Sequence, residues 1–431
     1  MRVGIIGGGA AGLATAWLLD QTHDVVLLER ENRLGGHANT LEIDRGDGPV
    51  AIEAGFEFYS EAMFPIFHRL LQILRVEHDP FPMTITLYRP DGADTIGLPP
   101  VRGGRVHWPS FRPRQLADLV RFRQVLEGAG AIMRAEDRAT TLQHYLDDIG
   151  APEAFRERFL YPFLQASWCV ERADLEQFVA YNALRYAWLH RRTGLTSAPW
   201  LEVRGGARSY VQALARQLTR TTVRTGAAIA RLTRAGGAYR VEEPGGRAHD
   251  VDHLVLATNA EQASELLAGL PAATALRGLL SQVEYFPTTI SIHGDRRLMP
   301  PRRSDWATIN MRHDGTHSQA TVWKGWKSEA PIFRSWTTFD RVAPDPLYAA
   351  ARYRHGKVNR AYFRVQRELP RFQGVDNLWV AGLYTHDVDC HESAVMSGIK
   401  IAERLAPGSP RLRRLLGDQA EVTVDSLPSA G

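Results

Sequence analysis

The chain has 431 residues, 44% of them hydrophobic and 23% charged, which is ordinary globular material long enough for a substantial core and two domains. Two cysteines, Cys169 and Cys390, exclude a disulfide framework and fit a reducing, cytoplasmic setting. The net charge of +4 comes from arginines scattered among acids without a low-complexity basic arm, so nucleic acid is not an expected partner, and no apolar run is long enough to span a bilayer.

Residues 2–6 read as a short buried strand that enters GGGAAG, residues 7–12, with glycines at the first, third and sixth places. Helix formers follow over residues 11–19, and residues 25–28 read as a second strand ending on Glu29, with Arg30 after it as a further cofactor-binding candidate. This is a βαβ dinucleotide fingerprint. Gly7 permits the tight turn, Gly9 leaves the backbone open to a pyrophosphate, and Gly12 lets helix and strand pack closely. The free N–H groups near Ala10 and Ala11 favour an anion, and Glu29 can accept hydrogen bonds from an adenosine ribose. Beyond it, Arg33, Gly35, Gly36 and His37 suit a loop passing near the pyrophosphate and the ring system.

Phe64, Phe67, Leu71 and Leu74 recur at helical spacing, so residues 61–75 are expected to form an amphipathic helix. Prolines at 80 and 82 and alternation over residues 84–88 then mark strands of a different domain. Residues 110–190 read as helical and rich in aromatics. Within them, residues 112–123 form a basic helix expected to bury Leu116, Leu119, Val120 and Leu126 and to solvate Arg114 and Arg121. A membrane-surface helix making a peripheral membrane contact is the alternative, and the solvated face over a core stripe is favoured over it.

A glycine turn and helix over residues 203–214 lead to strands expected at 223–232, 239–242 and 251–259. Residues 378–381 read as a strand, Gly382 permits close backbone approach, and a helix is expected from Ser393 with Ala394, Ser397 and Gly398 as a small-residue face.

GGGAAG, LLERENRLGGHANT and IEAGFEFYS, in that order, resemble the opening of the flavin-containing amine oxidase superfamily. RLGGH, RGG before SYV, HGDRRLMP and a glycine strand end leading to HES are similar to a branch of FAD/NAD-binding proteins often encoded beside cyclopropane fatty acid synthases. The resemblance implies an α/β fold: a Rossmann-type, glutathione-reductase-like FAD-binding domain with an interleaved α+β substrate domain. The expected division is 1–77, 200–264 and 371–408 for FAD, 78–199 and 265–370 for substrate, and 409–431 as a peripheral tail. It also implies that Gly55 and Phe56 lie by the ring, Ile229 by the adenine, Ala257 and Thr258 by the pyrophosphate, and Gly382, His391, Glu392 and Ser393 by the pyrimidine side.

The implied activity is an FAD-dependent oxidase or desaturase taking hydride from an organic, fatty-acyl or specialised small molecule, with dioxygen or a separate acceptor reoxidising the flavin. An amine oxidase, a flavin-dependent isomerase and a non-catalytic accessory of a lipid-modifying enzyme stay open as alternatives. Glu57 departs from the branch pattern and is the first candidate for base or cation anchor; Tyr59, Tyr384, His386 and Lys324 are further catalytic candidates. Asp389 and Cys390 also depart from the pattern, which raises the prospect of a polar or cationic substrate. No metal is expected.

Overall fold

The apolar runs near the amino terminus become the middle of a parallel sheet. In the computed structural model, which describes residues 1–44, 48–102, 104–190, 199–328 and 330–417, five strands lie in the order Thr222–Arg224, Asp24–Leu28, Arg2–Ile6, His253–Leu256 and Leu378–Val380. Neighbouring strands are parallel throughout, with Ile5 opposite Leu27 on one side and Val255 on the other. Strands buried on both faces need no alternation, which is why they read as continuous hydrophobic runs.

Helix Ala10–Leu19 crosses over this sheet and buries every residue from Ala11 to Leu19. Helix His391–Leu405 packs on it through the small-residue face. A Cβ on Gly398 would stand 2.9 Å from the Thr15 backbone nitrogen, so only glycine permits that approach. The helix begins at His391, two residues before the expected Ser393, because the extended backbone of Cys390 delivers the chain directly into it.

Three other expectations are corrected. The strand expected at 223–232 is two strands, Thr222–Arg224 and Arg231–Ala235, divided where Gly226 takes a left-handed φ of 67°. The strand expected at 251–259 also divides: Ala248–Val251 closes an antiparallel meander and His253–Leu256 enters the parallel sheet. Asp252 marks the change, accepting the Arg2 backbone N–H at 2.8 Å. Helix Pro65–Leu74 is shorter than expected, because proline opens it and Arg75, at φ 55°, ends it.

A seven-stranded sheet stands beside the parallel one, in the order Leu347–Gly356, Tyr285–His293, Phe333–Trp336, Ser318–Trp323, Ile309–His313, Ile85–Tyr88 and Thr95–Leu98. It joins two stretches remote in sequence, and helix Tyr161–Trp168 packs against its strands Ser318–Trp323 and Ile309–His313.

The basic helix runs over Pro113–Gly128, but it is rotated from the expected setting. Leu116 and Val120 are exposed, 38% and 57%, while Gln115 and Asp118 are buried. Asp118 turns inward because Arg158 grips both its oxygens, at 2.6 and 2.9 Å, and the Gln115 amide donates to Asp94 at 3.3 Å.

The tail is also partly built into the fold. Helix Pro410–Leu416 buries Leu412 and Leu415, and Arg411 donates to the Trp17 carbonyl at 2.7 Å; residues 418–431 lie outside the described residues. Among the described residues no helix is long and apolar enough to cross a membrane.

Candidate active site

The turn after the first strand is built around its glycines. Gly7 has a φ of 109°, and a Cβ there would meet the Ala257 carbonyl oxygen at 2.5 Å. A Cβ on Gly12 would fall 1.9 Å from the Gly7 oxygen, so this glycine is where helix and turn touch. Gly9 differs, since its Cβ would have nothing nearer than Gly36 Cα at 4.0 Å and would face open space.

That space is a cavity of about 1330 Å³. Small-molecule sites usually occupy roughly 300–1,000 Å³, so this one has room for a long cofactor and a substrate beside it. Gly7, Gly9, Ala10, Ala11, Glu29 and Arg30 line it, as do Arg33, Gly35, Gly36 and His37. Gly55, Phe56, Ile229, Ala257, Thr258, Gly382 and His391 complete the expected set on its wall. Gly12 lies beneath the turn. Glu392 and Ser393 face away: Glu392 accepts the Ile66 and Phe67 N–H groups at 2.7 and 2.8 Å, and the Ser393 hydroxyl donates to the Val388 carbonyl at 2.6 Å.

Two helices present their N-termini to the cavity wall, at Ala10 and at His391, and neither has a side-chain cap. Their first N–H groups are therefore available to an anion or a carbonyl oxygen. Glu29 holds the near end in shape, accepting the Gly8 N–H at 2.6 Å and the Glu31 N–H at 2.8 Å. The Ala227 N–H, 2.8 Å from the Glu29 carbonyl, ties the broken strand to this turn and carries Ile229 to the cavity. Phe56 stacks on His391 with ring centroids 4.0 Å apart. Burial pushes His391 down to about 3 and His37 to about 4, so both rings are neutral at ordinary pH.

Of the catalytic candidates, Tyr384 lines the cavity, and its hydroxyl has no hydrogen-bond partner among the described residues. The other four are placed elsewhere. Tyr59 is fully buried, its hydroxyl 3.4 Å from His68 Nδ1. His386 meets the Lys400 ammonium at 2.6 Å, and burial with that charge pushes it down to about 4. Glu57 and Lys324 sit in a buried charge cluster behind the wall. Lys324 donates to Glu202 at 2.6 Å and lies 3.2 Å from Glu57, whose other oxygen is 3.7 Å from Arg334. Burial opposes the Lys324 charge, but Glu57 and Glu202 outweigh it and hold the group at about 12.

Asp389 lines the cavity as well, together with Glu29, Glu31 and Glu265. It is half-buried by surface, yet shut far enough from bulk water that burial pushes it up to about 6. Among the described residues its one side-chain hydrogen bond comes from the Tyr362 hydroxyl at 3.4 Å, and its backbone N–H donates to Asn182 at 3.0 Å. Tyr186, Tyr285, Tyr362 and Tyr384 share the same wall. Asp389 stood out in the sequence only as a departure from a pattern; nothing local marks it as facing a cavity.

Residues 10–297 match the family described as flavin containing amine oxidoreductase. The chain belongs to that family. The cofactor of this flavin oxidoreductase is FAD, and the open approach at Gly9 and the two uncapped helix ends fit a long anionic cofactor. Three solved structures share its fold. A fatty acid isomerase from P. acnes superposes with TM-score 0.66 at 15% identity, covering 94% of this chain and 98% of that one. Cyclohexylamine oxidase from Brevibacterium oxydans IH-35A gives 0.62 at 15%, covering 94% and 99%. Putrescine oxidase bound to putrescine gives 0.65 at 13%, again covering 94% and 99%. An uncharacterized protein of Acanthamoeba polyphaga mimivirus is 53% identical over 58 residues, 13% of this chain and 12% of that protein. This chain thus spans about an eighth of that relative's length.

Proposed function

We propose that this flavin oxidoreductase oxidises a small amine, taking hydride from the carbon next to nitrogen. The observation that carries the reading is Asp389: a carboxylate on a tyrosine-walled cavity, with no cationic side chain paired to it among the described residues. A buried carboxylate without a counter-charge is costly, and a substrate ammonium would supply that charge while the tyrosine faces favour a cation. A hydrocarbon chain would leave Asp389 to protonate. The amine named with the putrescine oxidase structure is consistent with this chemistry.

In this reading the residues of the Gly7–Gly12 turn and Glu29 would hold the adenosine and pyrophosphate end of FAD, and the His391 helix end would hold the pyrimidine side. FAD supplies the hydride acceptor. Asp389 binds the ammonium and takes one of its protons, for which a pKa of about 6 is well matched near neutral pH. The freed nitrogen lone pair then supports departure of the hydride from the adjacent carbon, leaving an iminium product. Tyr384, with its unpaired hydroxyl, and the neighbouring tyrosines orient the substrate and exclude water. Glu57 and Lys324 are assigned to holding the wall, not to proton transfer.

Anaerobic mixing of the purified yellow protein with amines, acyl lipids and hydroxylated small molecules tests this. Amines should bleach the oxidised-flavin absorbance and acyl lipids should not; the reverse result would discard the amine reading and leave the flavin assignment standing.

A further inference from the structure

We infer that the face formed by residues 105–123 docks the protein onto an anionic phospholipid surface. The rotation of helix Pro113–Gly128 leaves apolar side chains uncovered. Trp108 is 74% exposed and Val120 57%, and Val106, Phe111 and Leu116 are also exposed. Leu116 and Val120 are one helical turn apart and share a face. Trp108 and Phe111 occupy the short turn of helix Trp108–Phe111 just before it, their ring centroids 6.3 Å apart. A tryptophan that exposed, beside further apolar side chains, is costly in water and is the side chain favoured at the boundary between headgroups and acyl chains.

The surrounding charge selects the occupant. Arg105, Arg112, Arg114 and Arg123 are exposed in the same stretch. Arg112, Leu116, Val120 and Arg123 follow one another at three- and four-residue steps, so arginines stand at both ends of the apolar stripe. Two of the four are ion-paired, Arg114 with Asp94 at 3.9 Å and Arg123 with Glu127 at 2.7 Å, and Asp118 is buried on Arg158, so Arg105 and Arg112 are left without an acid partner among the described residues. Long arginine stems can lie along the apolar surface while their heads reach lipid phosphates. A second copy of this chain is disfavoured, since a two-fold contact would set these arginines against their own copies. Aliphatic side chains projecting from the middle of the face suit acyl chains better than a polar nucleic-acid groove. None of these residues lines the cavity, so the surface is independent of the chemistry proposed above.

The test is co-sedimentation of the FAD-loaded full chain with phosphatidylcholine–phosphatidylglycerol vesicles, against phosphatidylcholine alone. The wild type should bind the mixed vesicles, lose binding as salt rises, and weaken by about tenfold or more in Trp108→Ser/Phe111→Ser and in Arg112→Glu/Arg123→Glu. Flavin absorbance reports folding of each variant. Should the first pair fail to fold, Trp108→Phe keeps the question open to measurement: quenching of tryptophan emission by brominated acyl chains should fall relative to wild type. No preference for anionic vesicles, or unchanged binding in the folded variants, would overturn the proposal. So would binding to duplex DNA in place of vesicles, or self-association that the same substitutions abolish.

Discussion

The Lys324 ammonium lies 3.2 Å from a Glu57 oxygen and does not line the cavity. The contact lacks hydrogen-bond geometry, so Coulomb attraction holds it, while Lys324 donates its hydrogen bond to Glu202 at 2.6 Å. Two buried carboxylates therefore share this buried cation, with Arg334 as a second partner of Glu57 at 3.7 Å, and Arg334 joins the cluster to the wall by donating to the Gly55 carbonyl at 3.1 Å.

Lys324→Met should accordingly destabilise the protein by about 3–5 kcal/mol, because removing one partner leaves buried charge without compensation. Lys327, 2.5 Å from Glu202, moves the expectation toward the lower end. Urea denaturation measures it.

Gly9 and Gly12 should separate cofactor binding from folding. Gly12→Ala places a methyl 1.9 Å from a backbone oxygen and should sharply reduce soluble yield or thermal stability. Gly9→Val adds its bulk toward the cavity and should fold with little or no FAD. Flavin absorbance per mole of protein, beside circular dichroism, distinguishes the two; full FAD occupancy in Gly9→Val would contradict the cofactor assignment.

Asp389→Asn should keep FAD and lose amine-dependent bleaching by about a hundredfold or more, as removal of a general base does. The variant also carries a stability signature. Burial raises the Asp389 carboxyl from 3.8 to about 6, so folding favours its protonated form. The native state thus gains nothing from ionising this group: the stability present below pH 4 falls as pH rises from about 4 through about 6. That shift of about two units corresponds to about 3 kcal/mol at most. Substrate-free Asp389→Asn should therefore melt above wild type at pH 8, with the advantage vanishing near pH 4.

Glu392 caps a helix from another part of the chain. Its two oxygens accept the Ile66 and Phe67 N–H groups, the first turn of helix Pro65–Leu74, which has no cap of its own. Glu392→Ala should cost about 2–4 kcal/mol by orphaning two buried donors, and Glu392→Gln should recover part of it through its remaining carbonyl oxygen. Thermal melts of the pair decide; equal losses would show that the interaction depends on charge.

The βαβ opening was legible because each of its signals is local: a continuous apolar run, glycines in fixed order, an acid at the strand end. Both anchors of the cavity could be read the same way. What escaped reading depends on partners far along the chain. Asp118 turns inward because Arg158 waits there, and its inward turn pushes Leu116 and Val120 out, against the periodicity that marked them as core. Glu57 and Asp389 are both acids near glycine-rich segments, and sequence could not tell which one meets the cavity. Position in three dimensions separates them: Glu57 has cations beside it and Asp389 has tyrosines.

The parallel sheet takes its edge strand from Leu378–Val380 and its covering helix from His391–Leu405. During synthesis, then, the first βαβ unit emerges long before the pieces that close it, and its apolar edge beside His253–Leu256 must wait for nearly the whole chain. Nascent polypeptide halted before residue 378 would present an unpaired strand and a bare helix face, a state suited to chaperone capture and unsuited to retaining flavin.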